Sequence, residues 1–235
     1  DSPSSSQIET VEIGGSVWMA FNSLSSDSHE QVYPLDGLTV EEMYKKNWVN
    51  SVGALFQFGR NYPYIPWQSY NPSNNLGNQT QDVPWVSASH LPCPEGYRLP
   101  TREEFESMFP VDATIPGMYV AGNGERIIAT LHEAEGMLET PTGIGGRQLY
   151  VKFTSLDTRR FLIIPLAGNK GDKSTAADPG FGLRAALWTD SNNGCPGGHA
   201  LALWMRFEGK TATKITEERL PMEAFASVRC VKIKQ

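Results

Sequence analysis

Cys93-Pro94-Glu95-Gly96-Tyr97-Arg98-Leu99-Pro100-Thr101-Arg102-Glu103-Glu104-Phe105 is the stretch whose reading decides the fold. Arg98-Leu99-Pro100 reads as a strand end followed by a proline break. Thr101 is the best helix start in the chain, because Glu104 follows it at the three-residue spacing of a capping box. Phe105, Met108 and Phe109 then supply an apolar stripe, and Pro110 stops the helix. Upstream, Ile8 to Ile13 alternates apolar and polar side chains, Gly14-Gly15 makes a turn, and Val17 to Phe21 resumes as a strand, which predicts a hairpin. Thr39 is expected to cap a second short helix through Lys46, with Glu41 and Glu42 at its start and Lys45 and Lys46 at its end, as the helix dipole favours.

Downstream of Pro110 the pattern is mostly β. Candidate strands are residues 117–121, 126–131, 148–154, 160–165, 185–189, 200–207 and 226–233. Between the two helices, residues 56–92 carry Phe56, Phe58, Tyr62, Tyr64, Trp67, Tyr70 and Trp85 among five prolines, and no helical or strand period survives there. This reads as a long irregular loop held down by its own aromatics. Further loops are expected at residues 168–182 and 190–198. The fold class is therefore α+β, with residues 8–235 as a single domain behind a flexible polar leader, residues 1–7. That leader suits a trimmed N-terminus that tethers a domain, and equally a plain chain end.

Composition narrows the function classes. The chain has 235 residues with 20 Lys and Arg against 26 Asp and Glu, a net charge of −6, which argues against a nucleic-acid backbone as partner. No stretch approaches the ~20 apolar residues of a membrane-spanning helix. Three cysteines, Cys93, Cys195 and Cys230, allow at most one internal disulfide and leave one thiol over. None forms a Cys-x-x-Cys pair and the four histidines are scattered, so a structural zinc site is not expected. His132-Glu133-Ala134-Glu135-Gly136 begins like a zinc-protease motif but lacks the second histidine.

Five blocks, in order, resemble the Fibrobacter succinogenes major paralogous domain family. They are Val11 to Asn22 (with Trp18-Met19-Ala20), Gly53 to Arg60, Cys93 to Phe105, Leu187 to Asp190, and Ser227-Val228-Arg229-Cys230-Val231-Lys232. The resemblance implies a C-type-lectin-like fold of mixed, mostly antiparallel sheets with one or two short helices and long irregular loops. It also implies a place in the cell envelope, on the outer surface, or outside the cell, in Bacteroidetes-like bacteria. It names no activity. A lipid anchor at the N-terminus is the one membrane connection it makes plausible. A Cys93–Cys230 bridge would tie the two ends of the domain across about 137 residues, stabilising by roughly 4–5 kcal/mol on the loop-entropy model. The alternatives are three reduced thiols, or a bridge from Cys195 to either of the others.

Three chemistries follow as candidates. Tyr62, Tyr64, Trp67, Tyr70, Asn74 and Trp85 have the composition of a glycan or peptide surface, with rings to stack on sugar C–H faces and amides to read hydroxyls. The competing reading folds these rings inward as a small core under the loop. Calcium, through Asp172, Asp178 and Asp190, lacks ligand-dense spacing, so no cofactor is expected. Arg98 to Phe105 also resembles a segment of the formylglycine-generating and related iron-dependent oxidases, but the closely spaced cysteine pair of the formylglycine-forming enzymes is missing, and an enzyme is not expected. The expectation is a non-catalytic surface or secreted adhesion protein that recognises glycan or protein ligands. The alternative is a structural or accessory subunit of a surface assembly such as a fimbrial tip.

Overall fold

Both capping boxes form. The computed structural model describes residues 8–61, 63–65, 92–136, 147–171, 180–191, 199–207 and 209–234. Helix α1 (Val40–Lys46) starts at Thr39, whose hydroxyl accepts from the Glu42 N–H while the Glu42 carboxylate accepts from the Thr39 N–H. It buries Met43 and Tyr44. Helix α2 (Arg102–Met108) starts at Thr101 with the same reciprocal pair to Glu104, 3.2 Å in each direction. Its Phe105 and the cap residue Phe109 pack on Trp18 at 5.5 and 5.7 Å between ring centres, and Phe109 meets Phe153 at 4.9 Å.

Glu104 does more than cap. Its carboxylate also accepts from Arg98 Nη1 at 2.7 Å and from the Ser16 hydroxyl at 3.3 Å, so it joins the helix to two strands. Desolvation raises its pKa, but the hydrogen bond and charge of Arg98 and the bonds from Thr101 outweigh it and hold the carboxyl below its ordinary 4.5. A depressed carboxyl pKa adds stability that is complete above the unfolded value and is lost as pH falls through the folded one. Glu104→Gln is therefore expected to cost about 1 kcal/mol at neutral pH, with the gap to wild type closing below pH ~4.5. Urea unfolding at pH 7 and pH 3 checks this; a gap that stays constant would show that the charge of Glu104 contributes nothing.

The strands in chain order are β1 (Thr10–Ile13), β2 (Ser16–Met19), β3 (Leu55–Gln57), β4 (Tyr97–Arg98), β5 (Thr114–Ile115), β6 (Gly117–Val120), β7 (Arg126–Glu133) and β8 (Leu149–Ser155). They continue with β9 (Phe161–Pro165), β10 (Ala167–Gly168), β11 (Arg184–Trp188), β12 (His199–Arg206), β13 (Thr213–Lys214), β14 (Thr216–Pro221), β15 (Phe225–Ser227) and β16 (Val231–Lys232). They form a sheet β1-β2-β16-β4, a sheet β14-β12-β11-β15-β3 with β10 also on β11, a ribbon β13-β5, and a sheet β6-β7-β8-β9. Pairing is antiparallel except for β10 and β15, which both run parallel to β11. The protein is α+β. No helix among the described residues is long and apolar enough to cross a membrane.

Strand β11 divides the core. Ala185 and Leu187 face a cluster with Trp18, Phe109 and Phe153, while Ala186 and Trp188 face one with Met19, Phe56, Phe58 and Met222. A third cluster joins α1 to Phe21, Trp48, Tyr64 and Phe225.

The structure corrects three expectations. Leu55–Gln57, at the start of the stretch read as loop, is strand β3, buried throughout and paired with β15. Thr216–Pro221 is an unforeseen strand, β14, on the edge of its sheet. The expected strand over 226–233 is two strands in different sheets. Between β15 and β16 the chain steps across, with the Val228 carbonyl accepting from the Ser23 N–H at 2.7 Å and the Cys230 carbonyl from the Met19 N–H at 3.0 Å.

Candidate functional site

The aromatic segment is fixed at both ends. On one side Leu55 and Tyr64 exchange two backbone hydrogen bonds of 2.8 Å. On the other, the Ser23 hydroxyl donates to the Pro92 carbonyl, and Cys93 is joined to Cys230 by a disulfide with S–S 2.12 Å. Ile65, Cys93, Trp188 and Ala200 belong to one apolar cluster.

Of the expected ligand residues, Tyr62, Trp67, Tyr70, Asn74 and Trp85 lie outside the described residues, as do Asp172, Asp178 and Cys195. Tyr64 is described, and it is not a surface platform. It is 6% exposed, packs on Phe225 at 5.4 Å, and has the Lys170 ammonium 4.4 Å from its ring centre. For this one ring the inward reading holds, because Phe225 and Lys170 reach it from parts of the chain that no local window contains. Lys170 is itself only 2% exposed. It falls in the stretch 168–182, read from the sequence as a loop, which gives no sign of this burial.

Asp190 donates its backbone N–H to Pro100 at 3.1 Å. Desolvation raises its carboxyl pKa; Arg98 opposes this, and Glu103 and Glu104 add to the rise. Among the described residues no three His, Cys, Asp or Glu side chains are grouped to hold a metal ion. His132 lies on a strand, stacked on Tyr150 at 5.2 Å with a ring nitrogen 2.7 Å from the Thr130 hydroxyl.

The motif residues instead converge on a closed hub around Arg229. Its Nε donates to Asn22 Oδ1 at 2.9 Å, Nη1 to the Met19 and Ala20 carbonyls at 3.2 Å each, and Nη2 to the Ile163 carbonyl at 2.8 Å and the Tyr44 hydroxyl at 3.4 Å. Asn22 in turn donates to the Val52 carbonyl at 3.0 Å. Gly53 has φ +74°, and a Cβ there would stand 2.7 Å from the Asn22 Cβ, so a side chain has neither the backbone nor the room. Burial lowers the Arg229 pKa, with Tyr44 opposing, and burial pushes the Tyr44 phenol up to about 12. Trp18 and Trp188 spend their indole N–H groups on the Ile13 and Phe56 carbonyls at 3.1 and 2.7 Å. These groups are buried and satisfied, so they hold the scaffold and present nothing to a solute.

A family model described as the Fibrobacter succinogenes major domain matches residues 11–232. No curated protein and no solved structure matches the chain.

Proposed function

Because the chain belongs to the Fibrobacter succinogenes major domain family, we propose that it is a non-catalytic binding or adhesion protein of C-type-lectin-like fold, exported to the cell envelope or secreted, that recognises glycan or protein ligands through its long loops. The observation that carries this reading is the pinning of residues 66–91 at both ends, by the Leu55–Tyr64 pair and by Cys93. The motif residues described above are used up in the scaffold. That leaves recognition to the segments between them, where a rigid frame presents variable loops. Residues 66–91 hold Trp67, Tyr70, Trp85 and Asn74, side chains that stack on and hydrogen-bond to sugars.

The test is a glycan array run with calcium and with EDTA. Trp67→Ala combined with Tyr70→Ala is expected to abolish binding and to shift the melting temperature by less than about 2 °C, as a surface change does. A large fall in melting temperature would mark those rings as core and remove the platform. Binding lost in EDTA would transfer recognition to a cation and to Asp172, Asp178 and Asp190.

The second reading, a subunit of a surface assembly, is favoured by β6. It is the edge strand of its sheet, and its Met118 and Val120 are 68% and 61% exposed. Such an edge invites pairing with another chain. A protein that binds no array glycan but is captured with other envelope proteins would support it.

A further inference from the structure

A groove of about 530 Å³ opens between the β12–β14 edge and the β13–β5 ribbon. The chain carries six more acids than bases. Among the described residues its lining reverses that balance, with Arg206, Lys210 and Lys214 against Glu218. Lys214 has an ion pair with Asp112 at 3.6 Å, but both side chains are more than half exposed. Such a pair contributes little and gives way readily to another anion.

The groove also has a ring. Trp204 lies in register with Ala186 on one side and Thr216 on the other, two positions along from the Arg184–Arg206 pair and on the same face. Its neighbours along the same face of β12 are Ala202 and Arg206, and the half-buried indole packs at the rim of the cluster that holds Ala200 and Trp188. The Arg184 guanidinium carbon is 5.5 Å from the ring centre. Thr114, Thr213 and Thr216 add hydroxyls around the opening.

We propose that this groove binds acidic polysaccharide, a chain of sugars bearing carboxylate or sulfate. The indole takes the C–H face of a sugar ring, the cations take its anionic group, and Glu218 and the threonines take its hydroxyls. A neutral glycan offers these cations no anionic group. A continuous phosphate backbone meets Glu218 and a net negative protein. Its lining shares no residue with the loop surface proposed above, and the inference does not depend on that reading.

The test is affinity electrophoresis and calorimetry with polygalacturonate, chondroitin sulfate, neutral dextran and duplex DNA. The two acidic polymers separate carboxylate from sulfate as the preferred group. Binding to at least one of them is expected, weakening as salt rises and shortens the range of charge attraction. Lys210→Glu with Lys214→Glu is expected to reduce it at least tenfold, and Trp204→Leu, which keeps apolar bulk at the rim of the core, about tenfold, the equivalent of ~1.4 kcal/mol. Failure to bind either acidic polymer overturns the inference. So does equal affinity for dextran or DNA, or unchanged binding in the Lys210→Glu, Lys214→Glu protein with its melting temperature intact. Polymer binding lost in Trp67→Ala, Tyr70→Ala but kept in both groove variants would place the ligand on the loops. That result overturns the groove and leaves the loop reading standing.

Discussion

Arg229→Leu is expected to destabilise the protein by about 3–5 kcal/mol and to lower its melting temperature by about 6–20 °C, at ~2–4 °C per kcal/mol for a chain of this size. Two terms oppose each other. Removing the guanidinium ends the cost of holding a desolvated cation, which is several kcal/mol. It also leaves the Met19 and Ile163 carbonyls and Asn22 Oδ1 without the donors they have now, and each buried acceptor left unpaired costs about 1–3 kcal/mol. The Ala20 carbonyl keeps one donor, the Tyr44 hydroxyl at 2.9 Å. The losses win because the five acceptors come from three separate parts of the chain and cannot close on one another. Arginine suits this place because its guanidinium is planar, weakly hydrated and many-handed. Burial lowers its pKa, with Tyr44 opposing, and a guanidinium stays protonated in folded proteins. Arg229→Lys should recover less than half of the loss, since an ammonium offers three donors from one point. Thermal unfolding of both variants is the measurement. A melting temperature within about 2 °C of wild type for Arg229→Leu would mean that water replaces the side chain and that the hub is incidental.

That hub marks the limit of what the sequence shows. Thr39 and Thr101 were legible as caps because a capping box is written within four residues. The hairpin from Ile8 to Phe21 was legible for the same reason: an alternating pattern and two glycines suffice. Arg229 has no such local sign. Its partners Asn22, Met19 and Ala20 lie more than 200 residues away in sequence, and Ile163 lies 66 away. Read alone, Val228-Arg229-Cys230 continues a strand; in three dimensions it is the crossing between two sheets. Strand β14 escaped for a different reason. It is an edge strand whose Thr216, Glu217, Glu218 and Arg219 carry no apolar alternation, because Glu217 meets Arg102 at 2.8 Å instead of a hydrophobic core. Strand β3 is hidden by the opposite condition. Leu55, Phe56 and Gln57 are all buried, so polarity does not alternate, and the Gln57 amide nitrogen donates to the Glu223 carbonyl at 2.9 Å. The site divides likewise. Aromatic composition drew attention to residues 56–92, but Tyr64 turned inward because of Phe225 and Lys170. The groove cations Arg206, Lys210 and Lys214 are four apart in sequence, which would suit one helix face, but a strand, a turn and a two-residue ribbon bring them together.

Cys93→Ala with Cys230→Ala is expected to cost about 5 kcal/mol, because the bridge closes a loop of 137 residues and long loops lose most freedom when tied. The melting temperature should fall by about 10–20 °C. The loss acts mainly on the unfolded chain. The native frame around Cys230 has other supports: the Met19 N–H on its carbonyl, Val231 paired with Trp18 and Arg98, and the Arg229 hub next to it. The folded double variant should therefore keep wild-type circular dichroism well below its transition. Arg229→Leu differs, because it removes bonds from the folded state itself. Thiol titration in denaturant separates the pairings. The Cys93–Cys230 bridge predicts one reactive thiol per chain before reduction and three after, from the three cysteines present. Three before reduction would mean that the bridge does not form in the protein as made. An equal melting temperature with and without reductant would mean that it forms and contributes nothing. If the bridge does stabilise, breaking it also frees the Cys93 end of the 66–91 segment, leaving Ser23 on the Pro92 carbonyl as its described anchor on that side. Ligand binding through that segment should then weaken at temperatures where the scaffold is still folded. Under the assembly reading, contacts made by β6 should be unaffected, because that strand lies in a sheet the bridge does not touch.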